Sequence, residues 1–210
     1  MKKSLKITGI TALVIGAVWT FLTVWAERTG PKRRWQLGSP TAKKRALIVY
    51  DPDPFYDLDE QVSRAFGQAL ADAGMRVTVS SVAATSDADS QAVDLYVFCA
   101  NTYNFRPDWA VSDFIRKQKN LAGQPVVAIT LGSGTTGASQ EALETLIHDK
   151  NANLLDSRSL WLFKPNDESR MRESNVAVTV SMAYAWGEET AKRYGIGSAV
   201  SADLQPTTYP

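Results

Sequence analysis

Arg45-Ala-Leu-Ile-Val-Tyr50 followed by Asp51-Pro-Asp-Pro-Phe-Tyr-Asp57 and the segment to Gly74 decides the fold. The first six residues are a short apolar run with β-branched members, the pattern of a buried strand. The two prolines break it, because proline cannot continue a ladder and favours turns. Leu58, Val62, Ala65, Phe66, Ala69, Leu70 and Ala73 then recur at spacings of three and four, one face of a helix. Asp57 is the expected N-cap, with Glu60 completing a capping box, and Gly74 is the expected stop. In an open α/β sheet, the loop after such a strand lies at the carboxyl edge, where ligands bind.

The same alternation continues downstream. Strands are expected at Met75–Val82, Val93–Cys99, Val126–Thr130 and within Asn153–Phe163, centred on Ser159–Phe163. Helices are expected at about 108–121, 138–149 and 174–194. Thr85 to Ala92 reads as a polar connection. Five strands alternating with helices predict an α/β three-layer sandwich, and the expected form is a doubly wound, five-stranded parallel sheet, taken in the order 2-1-3-4-5. The loops after strands one, three and four then converge.

Upstream, Ile7 to Ala26 carries no formal charge over the length of a transmembrane helix, with Trp19 and Trp25 toward one end. A cleaved signal peptide is the rival reading, since Lys2, Lys3 and Lys6 precede the run and Val24-Trp-Ala26 loosely resembles a cleavage site. The run exceeds an ordinary signal core, and basic residues follow it directly, so an uncleaved single-pass anchor is the expectation. Seven Lys/Arg between residues 27 and 45 favour the domain on the cytoplasmic face. The expected organisation is an anchor at 1–27, a basic linker at 28–44, an α/β domain at 45–195 and a disordered tail at 196–210. The linker's cations either contact anionic lipid headgroups or act as topology determinants alone.

Charge narrows the partners. Residues 1–45 hold ten Lys/Arg and one acid, Glu27; the remainder holds thirteen Lys/Arg against twenty-one Asp/Glu. An acidic domain on a basic stalk argues against nucleic acid. Cys99 is the only cysteine and His148 the only histidine, which excludes disulfide frameworks and His-cluster metal sites. Cys99 ends an apolar strand and reads as an inert core thiol. Ser133, in Leu131-Gly-Ser-Gly134, lacks the full nucleophile elbow, and His148 has no reason to reach it, so a hydrolase is disfavoured. Asp51, Asp53 and Asp57 form a minor candidate for a cation, although each also reads as a turn or cap residue.

In its hydrophobic order and three local stretches, the chain resembles the flavodoxin family from about Arg45 to Tyr194. Ala46-Leu-Ile-Val-Tyr50 with its helix is similar to the family's opening. Asp94-Leu-Tyr-Val-Phe-Cys-Ala-Asn-Thr-Tyr103, followed by a proline and a helix ending near Gly123-Gln-Pro125, resembles the region beside the flavin. Met182-Ala-Tyr-Ala-Trp-Gly187 with Ala191 resembles the last helix. The resemblance implies an FMN-binding electron-transfer protein with a redox protein partner at the membrane. It implies flavin contacts from Asn101, Thr102, Tyr103, Asn104 and Phe105, with Tyr103 or Phe105 stacking on the ring. The loop of Gly132, Ser133, Gly134, Thr135 and Gly137 would approach through backbone N–H groups. Loop anchoring by the aromatics and a tight strand-to-helix turn at Gly132 are the alternatives.

The first loop departs from the family. Flavodoxins hold the FMN phosphate in a Ser/Thr- and Gly-rich turn at a helix N-terminus. Asp51 to Asp57 has no Ser, Thr or Gly, two prolines and three carboxylates. Each carboxylate at about 4 Å from the phosphate costs roughly 4 kcal/mol at an effective dielectric near 20. The second reading is therefore a flavodoxin-fold binding or scaffold module that has lost FMN.

Overall fold

The computed structural model describes residues 2–195. The expected disordered tail lies outside them. In chain order the elements are α1 (Lys2–Ala26), β1 (Arg34–Leu37), β2 (Arg45–Tyr50), α2 (Leu58–Asp72), β3 (Arg76–Ser81), β4 (Leu95–Tyr103), β5 (Arg106–Pro107), α3 (Trp109–Lys117), β6 (Pro125–Gly132), α4 (Gly137–Asp149), β7 (Asn153–Trp161) and α5 (Asn175–Arg193).

The sheet runs β1-β3-β2-β4-β6-β7. Its five parallel members, β3-β2-β4-β6-β7, have the expected 2-1-3-4-5 order. Side-chain alternation explains the three layers. Ala46, Ile48 and Tyr50 of β2 point to one face with Val97 and Cys99, against Val62, Phe66 and Leu70 of α2 and Trp186 of α5. Leu47 and Val49 point to the other with Phe98, against Val111 and Ile115 of α3 and Leu143 and Ile147 of α4. The α2–α5 contact is close. A Cβ on Gly187 would stand 2.7 Å from the Phe66 carbonyl oxygen and 2.8 Å from the Ala69 Cβ. Phe66 and Trp186 meet edge to face at 5.2 Å.

Several sequence expectations are corrected. Segment 28–44 is more than a linker: Arg34–Leu37 pairs antiparallel with β3 and covers its edge. Trp35 secures it, tilted against Tyr50 at 6.3 Å and covered by the Arg64 guanidinium. Arg33 pairs with Glu60 and Arg34 with Asp89, which ties this segment to α2 and to the loop after β3. β4 continues past Cys99 to Tyr103, then turns at Asn104 and Phe105 into β5, so the expected loop is a two-residue hairpin. Both turn residues have positive φ, 48° and 63°, as a turn of this length requires. β7 starts at Asn153, earlier than expected, because as an edge strand its polar residues need not be buried.

α1 includes Gly9–Ala26, eighteen residues of mean hydropathy 1.8 with none buried. That is long and apolar enough to cross a membrane.

Candidate functional site

The carboxyl ends of β2, β4, β6 and β7 meet in one cleft of about 180 Å³, lined by Asp53, Tyr56, Asp59, Asn101, Thr102, Tyr103, Gly132, Ser133 and Leu162. The β2–α2 loop forms one wall. Prolines at 52 and 54 remove two backbone donors, and the N–H groups of Asp53, Phe55 and Tyr56 bond to the loop's own carboxylates or to Asp59. Asp53 accepts from the N–H groups of Phe55 and Tyr56 at 2.6 and 3.0 Å, an Asx-type turn. The Asp59 carboxylate is buried at the start of α2. It accepts from the Asp53 N–H at 2.7 Å, the Glu60 N–H at 2.7 Å and the Asn101 side-chain amide at 2.9 Å. A helix N-terminus attracts an anion because its first N–H groups are unpaired and its dipole is positive there. Here the protein's own carboxylate is that anion.

The expected capping box at Asp57 is not made. Asp57 forms no side-chain cap and accepts from Gln61, while Glu60 is held by Arg33 and the Tyr50 hydroxyl. Asp59 therefore serves the helix start in place of Asp57. The sequence signal was Asp-Leu-Asp-Glu, in which the second aspartate sits two positions deeper than the cap.

Asn101 is buried between two loops. Its amide donates to the Asp51 carbonyl and to Asp59, and its backbone N–H donates to Asp108 Oδ2 at 2.9 Å. Asp108 in turn caps α3 by accepting from the Val111 N–H at 2.8 Å. Asp51 accepts from the Gly30 N–H through both oxygens, at 3.0 and 3.2 Å. Burial dominates the acid strengths of this group. It pushes the Asp51 carboxyl up to about 7 and Asp59 up to about 6, against the lowering effect of their N–H donors. Asp108, fully buried, is raised well above the usual carboxylate range. The Tyr103 hydroxyl donates to Asp53 Oδ2 at 2.6 Å, and burial followed by that bond raises its pKa well above the ordinary tyrosine value.

Of the ten residues expected at a flavin, Asn101, Thr102, Tyr103, Gly132 and Ser133 line the cleft. Asn104 and Phe105 stand at the hairpin tip outside it, in a groove with Trp109 and Glu141. Gly134, Thr135 and Gly137 line a shallow surface with Trp161 and Lys164. Gly132 is a close-packed turn residue, since a Cβ there would lie 2.7 Å from Thr136 Cγ2 and 3.1 Å from Thr102 Cβ. Tyr56, Leu162 and above all Asp59 were missed by the sequence reading, because a loop's fold back across a helix N-terminus leaves no periodic signal.

An FMN phosphate does not fit at α2. It would face the Asp59 carboxylate, which already takes the Glu60 N–H, and the Asp53 carboxylate, which takes the Phe55 and Tyr56 N–H groups, and Asp51 and Asp108 add to the carboxylates around Asn101. A Ser133–His148 pair is not formed either. His148 ends α4, eleven residues on from Gly137 and about 16 Å along the helix axis, at the opposite edge of the sheet. Cys99 is buried, and its thiol is pushed up by that burial. Among the described residues, no group of three His, Cys, Asp or Glu side chains is arranged to hold a metal ion.

Solved structures of similar fold include the WrbA-like flavodoxin of Agrobacterium tumefaciens, at 12% identity over 74% of this chain and 100% of that one, with a TM-score of 0.56. Flavodoxin 2 of Bacillus cereus is similar at 18% identity over 69% and 99%, with a TM-score of 0.53. Megasphaera elsdenii flavodoxin follows at 16% identity over 66% and 98%, with a TM-score of 0.52. No protein-family model and no curated protein matches the chain. The chain thus has the flavodoxin-like fold.

Proposed function

We propose that this flavodoxin-like fold serves as a single-pass, membrane-anchored binding module that works without FMN, with its domain on the cytoplasmic side. The observation that carries this reading is the buried Asp59 carboxylate at the start of α2, which accepts from the Glu60 N–H of the helix, the Asp53 N–H of the loop and the Asn101 amide. A group that binds in the neighbouring cleft is then small and not anionic, because Asp53 and Asp59 line it. The anchor reading is supported by α1, and the orientation by the seven Lys/Arg between residues 27 and 45.

A second reading keeps the flavin. Tyr56 and Tyr103 line the cleft beside Gly132 and Ser133, and aromatic walls with accessible backbone suit a flat ring. On this reading FMN is bound by its ring alone, supplies electron transfer toward a redox protein partner, and leaves its phosphate in solvent.

Titration of the full-length protein in detergent with FMN and with riboflavin, which lacks the phosphate, separates the readings. Neither ligand quenched at micromolar protein supports the cofactor-free module. Riboflavin binding as tightly as FMN supports the second. FMN binding at least tenfold tighter than riboflavin requires a phosphate seat and overturns the role given to Asp59.

A further inference from the structure

The end of α1 is fastened to the carboxyl edge of the sheet at four points. Glu27 is buried there, and its carboxylate accepts from the Trp109 N–H at 2.8 Å, the first turn of α3. Asn104 of the hairpin tip donates to Thr23 Oγ1 at 3.2 Å. Trp25 and Phe55 meet edge to face at 5.0 Å. The Gly30 N–H donates to Asp51. Thr23 lies three residues before the end of the apolar run, so the hairpin tip stands alongside α1 about 4.5 Å inside that end.

The domain's exposed apolar side chains have the same location. Outside α1, the exposed large hydrophobic residues among those described are Phe55, Tyr56, Phe105, Trp109, Phe163 and Met171. Phe55 and Tyr56 follow β2, Phe105 follows β4, Trp109 opens α3, and Phe163 and Met171 follow β7. All six sit at the carboxyl edge, and none at the amino edge or on an outer helix face. Single exposed hydrophobics scattered over a surface need no explanation, but six gathered at one edge do. Five of the six are aromatic residues of the kind enriched at membrane interfaces or buried by interfacial anchors, and Trp25 beside Phe55 is at the same level. Phe105 holds a φ of 63°, in the left-handed region that a bulky side chain seldom occupies, at the tip nearest α1.

We propose that the carboxyl edge lies flat on the bilayer that α1 crosses, with Phe55, Phe105 and Trp109 seated in the headgroup layer around the helix. This rests on the reading of α1 as a membrane span. The occupant is the lipid interface itself, because the span leaves the domain through the middle of the patch. The cleft between Tyr56 and Tyr103 then opens toward the headgroups, and the amino edge, with Lys43 and Lys44, faces solvent.

The test uses the full-length chain in phosphatidylcholine–phosphatidylglycerol vesicles, with an environment-sensitive fluorophore on one introduced cysteine at a time. The buried Cys99 stays unlabelled. Labels go at F105C, at D149C on the opposite edge and at I15C within α1. The vesicles carry a lipid quencher near the headgroup or deep in the chains. The expected result is a blue-shifted F105C label that loses most of its emission to the shallow quencher, with D149C unaffected and I15C quenched by the deep one. Deep quenching at I15C with F105C behaving like D149C would overturn the docking while leaving the anchor intact. An unquenched I15C would overturn the anchor and the docking with it.

Discussion

Asp59→Asn examines whether a desolvated carboxylate at the start of α2 weakens the fold as it ionises. Asp59 is 1% exposed, and burial raises its carboxyl from 3.8 to about 6. The folded state therefore holds the proton more tightly than the unfolded chain. The sign follows from this: the group's favourable contribution is complete below the unfolded pKa and is lost as pH rises through the folded one. A shift of roughly two units is worth about 3 kcal/mol at about 1.4 kcal/mol per unit. Asparagine cannot ionise, so the variant escapes that loss. It forfeits about 1 kcal/mol at every pH, because its amide replaces one accepting oxygen and faces a donor. The variant is thus expected to be about 1 kcal/mol less stable than the parent near pH 4 and about 2 kcal/mol more stable near pH 7.5, with the crossing between. Urea unfolding of the full chain in detergent, followed by tryptophan fluorescence across this range, measures the difference. Asp51 titrates in both proteins and largely cancels. A difference that stays constant with pH, or one that moves against the variant as pH rises, would refute the reasoning. The second result would mean that the three donors outweigh burial and that the anion is a net stabiliser.

Two further substitutions probe the scaffold. Asn101→Ala removes the amide bonds to Asp51 and Asp59 and is expected to cost about 2–4 kcal/mol in the same assay, since one lost bond is to a buried charged group; a loss below about 1 kcal/mol would show that water replaces the amide and that Asn101 does not brace the site. Gly187→Ala places a methyl 2.7 Å from the Phe66 carbonyl and is expected to cost about 1–3 kcal/mol by forcing α5 off α2. Thermal scans of this variant should show a lowered midpoint, and an unchanged one would mean that the helices are not packed as closely as described.

The resemblance to flavodoxins supplied the sheet order, and the alternation of apolar strands with amphipathic helices was enough to read the three-layer class and the two faces. That information is local and periodic: Ala46, Ile48 and Tyr50 alternate with Leu47 and Val49, and Val62, Phe66 and Leu70 share a helix face. The apolar α1 and the charge asymmetry were legible for the same reason, because composition over a window needs no partner. The first loop's poverty in phosphate donors was also readable directly from Asp51 to Asp57.

What was not legible depended on pairing across the chain. Arg34–Leu37 is too short and too polar to read as a strand, and it becomes one because the β3 edge offers unpaired groups and Tyr50 offers Trp35 a surface. Asp57 satisfied the local rule for a cap, but the loop turns so that Asp59, two residues on, reaches the donors of Asp53 and Asn101. Asn101 to Phe105 divided between a buried brace and an exposed hairpin tip once β4 ran on to Tyr103. The sequence by itself determined the five parallel strands, the helices between them and an apolar helix long enough to cross a membrane, since hydrophobic periodicity is a property of neighbours along the chain. Only the tertiary structure decided that Asn101 braces the Asp59 carboxylate at the start of α2 and that the end of α1 meets the aromatic carboxyl edge, because the Asn101–Asp59, Asn104–Thr23 and Trp109–Glu27 contacts join residues tens of positions apart.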